Sequence, residues 1–198
     1  MKKTIWIWSL MVVLALSLAG CARDKEPAAA AIKAAEEAFN AAKAEAMQYV
    51  PDQVKGIEGA IKSAKENFEK GEYTAALNAA KDLPGKIKEL SAAAAAKKAD
   101  LTKAWEEMSG ALPKMLEAIK SRVDILSKSR KLPKDIDKAK LEGAKSGYEM
   151  AEKTWNEASE AFKAGNLQDA LAKAKTVKEK TIEIMNALGM QLPAAAKG

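Results

Sequence analysis

The sequence predicts an all-α protein: an elongated antiparallel helical bundle of about six helices, built from a duplicated three-helix unit. Three observations carry that expectation. Apolar residues recur at spacings of three and four along almost the whole chain, which places them on one face of a helix. No run of β-branched residues alternates with polar ones, as a half-buried strand requires. Charged residues make up 30% of the chain, both signs well mixed, and aromatics only 5%, a composition of solvated helix faces over a core rich in alanine.

Each helix has its own stripe and its own stop. The first, expected over 28–50, carries Ile32, Ala35, Phe39, Ala42, Ala46 and Tyr49, and Pro51 ends it. The second (52–70) carries Val54, Ile57, Ile61, Ala64 and Phe68, and Gly71 separates it from the third. The third (73–97) runs through Tyr73, Ala76, Ala80, Leu83, Ile87 and Leu90, with a bend expected at Pro84-Gly85. The fourth (99–131) carries Leu101, Trp105, Met108, Leu112, Met115, Ile119, Val123 and Leu126, with kinks expected at Ser109-Gly110 and Pro113. After the break "RKLPKD", the fifth (134–164) places Leu141, Ala144, Tyr148, Ala151, Trp155, Ala158 and Phe162 on one seam. Bulky residues there fall every seventh position with alanine between, so a neighbouring helix can approach closely, as in a coiled coil. Gly165-Asn166 precedes the sixth (167–189), whose stripe is Leu167, Ala170, Ala174, Val177, Thr181, Ile184 and Leu188.

The chain repeats itself. Residues 66–89 align without gaps to 160–183, sharing Glu66/Glu160, Phe68/Phe162, Gly71/Gly165, Ala76/Ala170, Leu77/Leu171, Ala80/Ala174 and Lys81/Lys175. The expected division is therefore 1–20 as a signal segment, 21–31 as a tether, 32–97 and 98–189 as the two three-helix repeats, and 190–198 as a tail. The shared motif F-x-x-G-x-[YL]-x-x-A-L resembles the turn inside a tetratricopeptide hairpin, where glycine permits the tight turn and alanine the close packing. The wider pattern is similar to alanine-rich helical lipoprotein domains of unknown function, a resemblance that implies no activity.

The N-terminus carries the most specific signal. Lys2 and Lys3 precede an apolar run from Ile5 to Leu18, interrupted by Ser9 and Ser17 and closed by Ala19-Gly20. The run is shorter than the roughly 20 apolar residues of a spanning helix. Leu18-Ala19-Gly20-Cys21 resembles the lipobox of bacterial lipoproteins. That resemblance implies cleavage between Gly20 and Cys21 and acylation, including palmitate, of Cys21, the only cysteine of the chain. Each buried methylene then contributes roughly 0.8 kcal/mol to anchoring. Ala22 is not the aspartate that holds enteric lipoproteins in the inner membrane. The resemblance thus implies a bacterial envelope protein, lipid-anchored at the outer membrane and facing the periplasm. Removing residues 1–20 takes away two lysines and no acid, lowering the formal charge from +6 to +4.

The sequence carries no catalytic constellation. With no histidine there is no imidazole base, and with one cysteine no intrachain disulfide, haem-attachment or thiolate zinc motif. No serine has a lysine three residues on, and no glycine-rich phosphate loop occurs. The pairs Glu36-Glu37 and Glu106-Glu107 read as solvated surface. No catalytic, cofactor or metal residue is expected. Met108 and Met115, with Met47 or Met150, could offer soft thioethers to copper(I), but gap-filling in the core is the commoner role. Trp105 and Trp155 fall on the core stripes. The one charged cluster is a basic loop, with Lys128, Arg130, Lys131 and Lys134 followed by Lys138 and Lys140 and interrupted by Asp135 and Asp137. It could touch anionic lipid, lipopolysaccharide or an acidic partner.

These features favour a non-enzymatic envelope lipoprotein, a helical scaffold that meets the membrane through its lipid and holds an envelope protein partner, with no role for nucleic acid. The alternative is a periplasmic bundle that encloses a ligand or metal. A pocket lined by Met108, Met115 and Trp155 would favour that alternative, and a dry alanine-packed core the scaffold.

Overall fold

The structure, a computed structural model, describes residues 23–193. Among these there are six α-helices and no strand: α1 (Lys25–Tyr49), α2 (Pro51–Glu69), α3 (Tyr73–Lys81), α4 (Leu83–Lys128), α5 (Lys138–Lys163) and α6 (Leu167–Ala187). The chain divides into two compact units between Lys97 and Lys98.

In the first unit, α1, α2 and α3 pack against one another. Ile32, Phe39, Tyr49, Val54, Ile61, Ala76, Ala80, Leu83 and Leu90 are all buried. Pro51 starts α2 at its first position, where a missing N–H costs nothing. The α1–α2 register is marked by two ion pairs, Lys43 with Glu58 at 2.6 Å and Lys65 with Glu36 at 2.8 Å. The partners lie seven residues apart on each helix and in opposite order, as antiparallel neighbours must. Exposed pairs of this kind add only about 0–1 kcal/mol each, so they select register rather than hold the fold.

In the second unit, α5 and α6 pack along each other. The later half of α4 joins their core through Trp105, Leu112, Met115, Ile119, Val123 and Leu126. Ala144, Ala151 and Ala158 of α5 and Ala170 and Ala174 of α6 are all buried. Gly147 lies on the same seam, where a Cβ would meet the Ile184 side chain at 3.2 Å. Small residues therefore let the two backbones approach.

Both glycine turns of the repeat close in the same way. Gly71 and Gly165 have φ of +81° and +80°. The Gly71 N–H donates to the Phe68 carbonyl and the Glu72 N–H to that of Asn67; Gly165 donates to Phe162 and Asn166 to Ala161. This is the Schellman arrangement, which satisfies helix-end carbonyls and needs a left-handed residue at the turn. Gly189 (φ +60°) ends α6 with the same pair of bonds. The same spacing continues past the aligned stretch: Leu83 and Ile87 within it, and Leu90 and Ala94 beyond it, stand where Val177, Thr181, Ile184 and Leu188 do, and all eight are buried.

The structure revises several expected boundaries. The third helix does not run to 97: α3 ends at Lys81 with Asp82 as its C-cap, and α4 starts at Leu83. The Pro84-Gly85 signal marks a break, because Pro84 has no N–H for the preceding turn. Conversely, no break separates 97 from 99, since α4 is continuous over 46 residues and contains Pro113. Residues 95–100 are all exposed, so the apolar stripe lapses there, yet alanine and lysine sustain the helix without burial. Helix α1 begins at Lys25, inside the stretch expected to be a tether, and Ala28 is fully buried. Helix α5 begins at Lys138 rather than 134, because the Asp137 side chain caps it by accepting from the Lys140 N–H at 2.7 Å.

Candidate functional site

The aromatic residues of the second unit form one assembly. Trp155 and Phe162 lie seven residues apart on α5, about 10.5 Å along the axis. Trp105 of α4 slots between them, stacked on Trp155 (centroids 5.3 Å, 8° between planes) and on Phe162 (4.6 Å, 9°). Trp105 is 6% exposed. Trp155 and Phe162 are half-buried and packed on the same core, so the clamp is part of the packing.

An open groove of about 640 Å³ lies beside this core. Gly110, Ala111, Lys114, Met115 and Ala118 of α4 form one wall, and Met185, Leu192 and Pro193 the other. It exists because α4 presents small residues at 110, 111 and 118, so little side chain fills the space. Nothing lies within 4 Å of a Cβ built on Gly110. Of the sequence candidates it includes Met115, but neither Met108 nor Trp155 lines it. Sequence reasoning missed Met185 and Leu192 because both lie off or past the end of the helical stripes. The signal that could have found the groove is the Gly110-Ala111…Ala118 spacing.

The four methionines do not converge. Met115 is 3% exposed in the core, whereas Met150 is 59% exposed and lines a smaller groove of about 220 Å³ between α5 and α6. Met47 is 47% exposed on α1 of the first unit. Among the described residues no three of Asp, Glu or Cys come together as a metal-binding group. The paired glutamates separate as well: Glu36 bonds Lys65, Glu37 faces Lys33 at 3.9 Å, and Glu107 lines the apolar groove.

The basic loop is exposed at Lys128, Arg130, Lys131 and Lys134, and its backbone is fixed from beneath. Ile136 is 5% exposed in the core and Leu132 packs on it. The two aspartates are in part occupied locally, Asp137 as the α5 cap and the Asp135 carbonyl by Lys140 Nζ at 2.8 Å.

The clearest electrostatic perturbation is at Tyr148. Burial pushes its phenol up to about 12, helped by the hydrogen bond it donates to Glu152 and by the charges of Glu152 and Asp124. The hydroxyl is therefore held protonated, as a hydrogen-bond donor on the α5 seam. Lys65 is likewise shifted upward by its bond to Glu36.

Cys21, the Gly20–Cys21 cleavage position, the signal segment 1–20 and the end of the tail lie outside the described residues. No helix among the described residues is long and apolar enough to cross a membrane. Compared with known proteins, the chain matches no family model, and no curated protein or solved structure is significantly similar to it.

Proposed function

We propose that this chain is a lipid-anchored protein of the bacterial envelope whose helical body acts as a non-enzymatic scaffold or protein-interaction module. The observation that carries the reading is the Leu18-Ala19-Gly20-Cys21 lipobox, followed after only three residues by a folded helix, α1. The rest of the body supports it: alanine-seamed helices, exposed acids paired with lysines, and a repeated turn built for packing. The outer membrane, facing the periplasm, is the location that Ala22 favours.

The test is acylation. Cells fed a clickable palmitate should label the wild-type chain, whereas Cys21→Ser should carry no label and accumulate as unprocessed precursor. Equal label on both would refute the anchor. A second reading, a bundle that carries an apolar ligand, draws on one observation, the 640 Å³ groove lined by Met115, Met185 and Leu192. Saturable uptake of an apolar fluorophore that is lost in Ala111→Leu, a substitution that fills the groove, would favour it.

A further inference from the structure

We propose that the turn around Gly71, together with the start of α1, is the membrane-facing end of the first unit and rests on the phospholipid headgroup layer. The inference rests on the lipid-anchor reading and on geometry. Only residues 22–24 separate Cys21 from α1. A chain extends at most about 3.6 Å per residue, so an acylated Cys21 holds Asp24 within roughly 11 Å of its own backbone. Asp24 is in turn tied to the turn region, because Thr74 donates its hydroxyl to the Asp24 carboxylate at 2.7 Å. Lys25 adds a second link, its Nζ lying 5.7 Å from the centre of the Tyr73 ring. The segment 68–74 is therefore held close to the bilayer surface while the lipid is inserted and the first unit stays folded.

The chemistry of this end fits an interface. Phe68 and Tyr73 meet edge to face across the turn, with centroids 5.0 Å apart, and both are half-buried. Amphipathic aromatic rings settle at headgroup level, and the exposed ammonium groups of Lys25 and Lys70 at this end suit lipid phosphate. The second copy of the turn lacks these features. Leu167 stands in place of Tyr73 and is buried, and Phe162 is stacked on Trp105. The two repeats share a turn, but only the first pairs two partly exposed aromatic rings, and only the first is bonded, through Thr74, to Asp24 at the start of α1. The other end of α1 is far away: 25 residues span about 37 Å.

The experiment uses the full acylated chain in vesicles of phosphatidylethanolamine and phosphatidylglycerol carrying a contact-range quencher on the headgroup. A fluorophore is attached through Glu72→Cys in one sample and through Asp52→Cys in another; both positions are exposed. Flotation with the vesicles tests the anchor, and quenching tests the orientation. Quenching several-fold stronger at position 72 than at position 52 is the expected result. Equal or reversed quenching in floating vesicles overturns this proposal and leaves the anchor standing. Failure of the wild-type chain to float overturns the anchor and this proposal with it.

Discussion

Removing Trp105 should destabilise the second unit more than removing any other single side chain of its core. Its ring fills the slot between Trp155 and Phe162, and the two stacking distances of 5.3 and 4.6 Å nearly span the separation that the α5 backbone imposes. After Trp105→Ala the flanking rings cannot close the gap, because both are fixed to one rigid helix. A site that cannot collapse falls at the top of the large-to-small range, about 4–5 kcal/mol. Trp155→Ala opens the outer edge of the clamp, where the ring is already half exposed, so about 2–3 kcal/mol is expected. A double-mutant cycle should give a coupling of about 0.5–1.5 kcal/mol for the stacked pair. Urea melts followed by circular dichroism supply the midpoints. Fluorescence adds an internal check, since Trp105 and Trp155 are the only tryptophans among the described residues and both report on the second unit. Equal costs for the two substitutions, or no coupling, would refute the clamp, and a near-neutral Trp155→Ala with no coupling would turn Trp155 into a surface platform.

Three further perturbations follow from the same geometry. Gly71→Ala and Gly165→Ala should each cost about 1 kcal/mol through backbone strain alone, because open space surrounds both positions; unshifted melts would mean that the left-handed turns do not exist. Gly147→Val should destabilise by about 1–3 kcal/mol, since even a Cβ there meets Ile184 at 3.2 Å, and calorimetry showing no loss would deny the close α5–α6 approach. Tyr148 titrates near 10 when unfolded and about 12 when folded, so its contribution is whole below pH 10 and is lost as pH rises toward 12; melts of wild type and Tyr148→Phe should converge over that window, and parallel curves would exclude the shift.

The stripes were legible in the sequence because a helix buries every third and fourth residue wherever it lies. Leu141 to Phe162 and Leu167 to Leu188 could be written down as seams without coordinates. Gly71 and Gly165 were legible for a different reason: glycine alone tolerates the left-handed backbone that a tight helix end demands. The break between α3 and α4 and the continuity of α4 were not legible from burial periodicity. Residues 95–100 carry no apolar stripe, and whether a bare stretch stays helical depends on propensity, which reading by stripes ignores. The groove beside Met115 was legible only as a run of small residues on α4. Its other wall comes from Met185 and Leu192, which folding brings across from far along the chain.

What the sequence determined alone is therefore local: the helical class, the apolar stripes and the glycine turns, each fixed by neighbours within a few residues. Tertiary structure decided which small residues became seams and which a groove, and that Trp105 is clamped between Trp155 and Phe162. It also joined Asp24 to Thr74, bringing the turn at Gly71 close to the start of α1. Such outcomes depend on which helix faces meet, and that is set by complementarity between surfaces distant in sequence, where no local pattern carries the information.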